Sequence, residues 1–187
     1  MGPHLISLAQ DSAIRKLALP ILLPSVLMSI GQMALVVILP LYILDRGDSL
    51  ATAALIFACR NIGSMLVNLP ASIAIAKFGI RPAMLAGIIL IIIGTLSIVV
   101  ASNNVTIALA TLTFGAGMGT WLLARMAYVT QHIPSHQRGT SMATLAGIQR
   151  LGLLIGPLLG TFSVQYIGYQ AVFLGVAMFA VATLILV

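Results

Sequence analysis

Residues 82–101 read PAMLAGIILIIIGTLSIVVA. The stretch carries no charge, and it is as long as a helix must be to cross the hydrocarbon core of a bilayer, about 20 residues. Its flanks are polar, with Lys77 to Arg81 on one side and Ser102-Asn103-Asn104 on the other. Outward from it in both directions lie further apolar runs of similar or greater length. The expected spans are 17–44, 50–75, 82–101, 105–130, 139–163 and 169–187, with residues 1–16 left as an N-terminal tail. Asp45-Arg46-Gly47-Asp48 divides the first pair, His132 to Gly139 forms the longest polar connection, and Gln165 to Gln170 precedes the last span. Pro82 suits the first turn of a helix, where its missing N–H is not needed. The first run is longer than the bilayer is thick, so it tilts, bends or protrudes, with Pro20, Pro24 and Pro40 as points of bending. The expected fold is all-α and integral to the membrane, a bundle of six transmembrane helices.

The composition agrees. Hydrophobic residues make up 60% of the chain and charged residues 6%, against about 25% charged in a soluble domain. The mean hydropathy is +1.16. So little charge cannot cover a water-exposed globule, and the lipid bilayer is the expected surrounding. The net charge of +6 does not point to nucleic acid, because the nine basic residues are spread along the chain and form no patch. Cys59 is the single cysteine, so no intrachain disulfide can form. The first run exceeds the apolar core of a signal peptide, about 7–15 residues, and lacks a small-residue cleavage pattern, so it reads as a retained helix.

Basic residues orient the bundle, because loops on the cytoplasmic side carry the excess of Lys and Arg. Arg15 and Lys16 lie in the tail, Lys77 and Arg81 in the second connection, and Arg138 in the fourth, with Arg125 near the end of the preceding helix. The opposite side has only Arg46, beside Asp45 and Asp48. Both the N-terminus and the end of the sixth span are therefore expected in the cytoplasm, in a multi-pass protein of the cell (inner or plasma) membrane.

Two segments look alike. Lys77-Phe78-Gly79-Ile80-Arg81-Pro82-Ala83-Met84-Leu85 aligns with Tyr166-Ile167-Gly168-Tyr169-Gln170-Ala171-Val172-Phe173-Leu174. Arg60 precedes the first glycine by nineteen residues, Arg150 precedes the second by eighteen, and Pro70 and Pro157 lie between. The copies are three spans apart, which puts their turns on opposite sides of the membrane. That is an inverted three-plus-three repeat, a form common in secondary transporters. Chance similarity between apolar segments sharing a glycine turn is the plainer alternative.

Three stretches carry a resemblance that covers nearly all of the chain. Ser72-Ile73-Ala74-Ile75-Ala76-Lys77-Phe78-Gly79-Ile80-Arg81-Pro82 resembles the signature between helices 2 and 3 of the major facilitator superfamily. Lys77, Gly79 and Arg81 match it, while Ser72 stands for its first glycine and Ala76 for its aspartate. Gly152-Leu153-Leu154-Ile155-Gly156-Pro157-Leu158-Leu159-Gly160-Thr161 is similar to the family's antiporter pattern GxxxGPxxGG, with Thr161 in place of the final glycine. Ile133-Pro134-Ser135-His136-Gln137-Arg138-Gly139 looks like the family's proline-then-Arg-Gly connection between helices 4 and 5. The glycine-rich Gly115 to Gly119 suits its fourth helix. The resemblance is to the N-terminal six-helix half of such a transporter. It implies a small-molecule substrate bound between two bundles that rock in alternating access, and hence a partner, a second six-helix half. It also implies that the loop aspartate replaced by Ala76 no longer helps to hold an outward-facing state, and that the fifth helix packs against the opposite half. The GxxxGPxxG pattern tilts the expectation towards an exporter or antiporter.

Polar residues inside the spans are the candidate site. Arg60 and Arg150 each lie about ten residues into a span, near the bilayer midplane at 1.5 Å per residue, where an arginine costs several kcal/mol unless paired or wetted. Either they flank a polar cavity and attract an anionic group, or they are structural locks bound to neighbours such as Asn61 and Gln149. Arg125 reads as able to snorkel from the inner end of its helix. Ser25, Ser29 and Gln32 on the first helix, and Thr113, Thr120 and Trp121 on the fourth, line a cavity if the resemblance holds, or else pack between helices. No Asp or Glu lies deep in a span, so a proton carrier is expected only in a second half. No cofactor or metal is expected. An intramembrane enzyme lacks its residues, because His4, His132 and His136 all fall outside the spans and Asp45 and Asp48 are the only close acidic pair. A non-transporting membrane subunit or truncated remnant is the alternative from another class.

Overall fold

The computed structural model describes residues 21–187, apart from the side chain of Gln137. Arg15, Lys16, Pro20 and the expected start of the first span at 17 lie outside them. Among the described residues six helices run in order: α1 (Leu23–Asp45), α2 (Leu50–Phe78), α3 (Ile80–Val100), α4 (Asn104–His132), α5 (Ser135–Tyr166) and α6 (Tyr169–Leu186). The described chain holds no strand, and all six helices are long and apolar enough to cross a membrane. The fold is all-α, as the apolar runs predict.

Local chemistry sets the helix ends. Ser49, in an extended conformation, accepts from the Thr52 N–H at 3.2 Å and starts α2. Asn103 and Thr106 form a reciprocal capping box at the head of α4. Arg46 Nη2 donates to the Ser102 carbonyl at 2.9 Å, and Asn104 Nδ2 donates to Asp48 Oδ1 at 2.6 Å. These two bonds join the α1–α2 connection to the α3–α4 connection.

The other three connections are shorter than expected. Only Gly79 separates α2 from α3, Ile133-Pro134 separates α4 from α5, and Ile167-Gly168 separates α5 from α6. The long polar connection expected over His132 to Gly139 is therefore mostly helix. Polar residues mark where a chain leaves the apolar layer, but nothing stops a helix from continuing into water. Arg138 reinforces this turn by donating from Nε to the Ile133 carbonyl at 3.0 Å, satisfying an acceptor just past the end of α4.

The packing exchanges two sets of three. α1 packs on α5 and α6, while α4 packs on α2 and α3. The first helix of each set thus seats on the second and third helices of the other, and swapping the sets maps the arrangement onto itself. The turns repeat as well: Gly79 has φ 94° and ψ 173°, Gly168 has φ 110° and ψ 172°. Only glycine adopts such a backbone without strain. The core gathers Leu35, Leu39 and Ile43 of α1, Ile88, Ile91 and Ile98 of α3, Phe114 and Trp121 of α4, and Phe173 of α6. α4 is the most enclosed helix, and α2 and α5 are the least.

Candidate functional site

Glycines bring the helices of the site together. A Cβ on Gly63 of α2 would strike the Leu112 carbonyl of α4, and one on Gly115 of α4 would strike the Arg60 carbonyl of α2. The two backbones therefore touch beside Arg60. The stripe on α5 does the same for α1. A Cβ on Gly152 would strike Ser29 Oγ, one on Gly156 would lie 2.6 Å from the Ile30 carbonyl oxygen, and one on Gly160 2.9 Å from Ile38 Cγ1. Small residues on one face allow such approach, and the large side chains Leu153, Leu154 and Leu158 turn outward. The glycine face of α5 therefore seats on α1 of the same bundle. Pro157 lies inside α5, half-buried beside Gly156.

Between α1, α2, α4 and α5 these contacts leave a cleft of about 80 Å³, roomy enough for water. α1 lines it with Ser25, Met28, Ser29 and Gln32, and α2 with Arg60, Asn61 and Ser64. α4 adds Met118, Trp121, Leu122 and Arg125, and α5 adds Gln149. Arg60 Nη2 donates to Asn61 Oδ1 at 3.2 Å, and its guanidinium carbon lies 5.4 Å from the centre of the Phe57 ring. Ser29 Oγ donates to the Ile148 carbonyl at 3.3 Å, tying α1 to α5 at the cleft wall.

Six of the eight cavity candidates meet here: Arg60, Asn61, Gln149, Gln32, Ser29 and Trp121. Two do not. Thr120 faces Gly87 of α3, and its hydroxyl donates to the Ala116 carbonyl at 2.9 Å within its own helix. Arg150 comes one residue after Gln149, a rotation of about 100° on a helix, which leaves it exposed on α5.

Sequence reasoning missed Arg125. It is 6% exposed and lines the cleft instead of reaching out to the membrane surface. The available signal was its spacing, because residues four apart on a helix share a face and Trp121 already pointed inward. Spacings of four and then three residues link Ser25, Ser29 and Gln32 on α1 in the same way.

The loop candidates lie elsewhere. Ser72 Oγ donates to the Asn68 carbonyl at 2.7 Å, while Ala76, Lys77 and Arg81 are exposed around the Gly79 turn. The Lys77 ammonium stands 5.4 Å from the centre of the Phe78 ring. Arg138 stays at the α4–α5 turn through its bond to Ile133, and Gly139 is an exposed helical residue whose added Cβ would meet nothing within 4 Å. Among the described residues no group of three or more His, Cys, Asp or Glu comes together as a metal site requires.

A model of one protein family, the Major Facilitator Superfamily, matches residues 21–187. No curated protein matches the chain.

Proposed function

The chain belongs to the Major Facilitator Superfamily, and from that membership we propose that it moves a small molecule across the membrane by alternating access at the cleft between α1, α2, α4 and α5. The family supports transmembrane transport in general, and its members are transporters, not enzymes. The observation that carries the specific reading is the convergence of Gln32, Arg60, Asn61, Arg125 and Gln149 on one space inside an otherwise apolar bundle. Polar groups are expensive within a bilayer and persist where a solute or water meets them.

In this reading the bundle works as the N-terminal half of a secondary transporter and closes the cleft against a second six-helix bundle. Arg150 stands exposed near the middle of α5, where a guanidinium facing lipid is costly, and this supports such a partner. The GxxxGPxxG resemblance favours export or antiport, with the N-terminus in the cytoplasm of a cell membrane.

Accessibility of the cleft from the two sides tests the reading without a known substrate. The native thiol is first removed by Cys59→Ser, and Gln32→Cys then places a single reporter in the cleft. Membrane-impermeant maleimide is applied to right-side-out and inside-out vesicles. Labelling from both sides is expected. Labelling from one side alone, in protein that remains folded, would sink alternating access.

A further inference from the structure

Among the described residues, four buried side-chain polar atoms have no hydrogen-bond partner: Ser25 Oγ, Arg60 Nε, Arg125 Nε and Thr183 Oγ1. Thr183 belongs to α6, away from the cleft. The other three residues line the cleft together, and each of the three atoms has a hydrogen to donate. Buried polar groups in native structures are paired in the great majority of cases, so three residues that each carry an orphaned donor and line one small space call for an acceptor among them.

Charge narrows the identity of that acceptor. Arginine stays protonated even when buried, so Arg60 and Arg125 bring two positive charges to one cleft in a low-dielectric bundle. Like charges there repel unless an anion lies between them. The described chain supplies none. Its acidic residues are Asp45 and Asp48, both at the α1–α2 connection, and Asp48 already accepts from Asn104. Water fits the volume but brings as many hydrogens as lone pairs and leaves both charges uncompensated. A carboxylate or phosphonate offers only acceptors, in the planar or forked arrangement that a guanidinium matches. Part of the remaining wall is apolar, formed by Met28, Met118, Trp121 and Leu122, beside the uncharged polar groups of Ser29, Gln32, Asn61, Ser64 and Gln149, which suits an organic body and not a bare inorganic ion.

The geometry points to a small organic anion as the ligand of this cleft, its acid group held between Arg60 and Arg125 and its apolar body against Trp121. The inference deepens the transport reading of the same cleft, and translocation of the bound anion rests on that reading.

Trp121 is the only tryptophan in the chain, so its fluorescence reports on the cleft alone. The full chain in lipid nanodiscs is titrated with benzoate, its neutral isostere benzamide, the cation benzylamine and inorganic phosphate. Benzoate is expected to shift the fluorescence saturably, and the other three to leave it unchanged. Arg125→Gln and Arg60→Gln are each expected to weaken benzoate at least about tenfold, since a hydrogen bond to a charged group contributes on that scale. Arg125→Lys, which keeps the charge but loses the fork, is expected to fall between. Arg150→Gln, outside the cleft, is expected to bind as the native chain does.

Equal responses to benzylamine or benzamide overturn the anion assignment, and phosphate competing as well as benzoate overturns the organic body. Benzoate binding that survives both arginine substitutions, or no response to any probe from natively folded protein, also overturns it. None of these results touches the two-sided labelling at Gln32, which stands or falls on its own. If Arg125→Gln does not fold, Arg60→Gln and Arg125→Lys carry the same test.

Discussion

A methyl group added to the glycines of α5 meets different things at different positions. At Gly156 it would lie 2.6 Å from the Ile30 carbonyl oxygen and 2.8 Å from the Ala34 nitrogen, both backbone atoms of α1. Neither yields without moving a helix. At Gly160 the neighbour is Ile38 Cγ1 at 2.9 Å, a side chain that can turn. At Gly147 nothing lies within 4 Å. Gly156→Ala is therefore expected to lower stability by about 1–3 kcal/mol, the usual cost of overpacking, and Gly160→Ala by less. Gly147→Ala is expected to raise stability by about 0.5–1 kcal/mol through helix propensity. Thermal unfolding of the three variants in one detergent checks the order. A Gly156→Ala protein as stable as Gly147→Ala would show that α5 does not seat on α1 so closely. The GxxxG spacing made the shared face legible in the sequence, but not its partner. Two helices can meet a small-residue face equally well, and only the three-dimensional arrangement chooses α1. The cleft divides in the same way. Gln32, Arg60 and Gln149 were legible as polar residues deep in apolar runs, whereas Arg125 was misread because an arginine near a helix end can snorkel or turn inward with the same sequence.

Elements were more legible than residues, because an apolar run long enough to cross a bilayer has few alternatives. What the runs could not fix was where the helices stop. α5 covers Ser135–Tyr166 against an expected 139–163, and α2 ends at Phe78 against 75. Helix propensity continues past the apolar layer until a backbone conformation forbids it. Gly79 and Gly168 are those stops, with φ of 94° and 110° and nothing within 4 Å of an added Cβ. Any loss on substitution there is backbone strain and not crowding. Gly79→Ala and Gly168→Ala are each expected to cost about 1–3 kcal/mol, the range for a non-glycine residue in a sparsely populated backbone region. The two losses are expected to match, because the two turns share one geometry in the exchanged sets of three. Equilibrium unfolding of both variants, with Gly139→Ala as an unstrained reference, measures it. A loss at Gly79 alone would mean that the second turn relaxes and that the resemblance between the sets ends at their backbones.

Among the described residues, Arg150 is a charge without an evident place. Arg150 is the sixteenth of the 32 residues of α5, so it stands about 23 Å from either end at 1.5 Å per residue. It is exposed, and a guanidinium facing lipid at that depth costs several kcal/mol. A second bundle against α5, presenting a carboxylate or helix carbonyls, would remove that cost. The two settings give Arg150→Leu opposite consequences. In the chain alone, in nanodiscs, leucine replaces a lipid-exposed charge, and thermal stability is expected to stay level or rise. With a second six-helix bundle co-expressed, leucine removes the charge that the partner would satisfy, and co-purification of the two is expected to weaken. Exposure of Leu153, Leu154 and Leu158 on the same helix makes the contrast a fair one, since those residues suit lipid and a partner equally and only the arginine discriminates. Should Arg150→Leu destabilise the chain alone as much as Gly156→Ala does, the guanidinium is already satisfied within this bundle. The pairing face would then have to be sought away from α5.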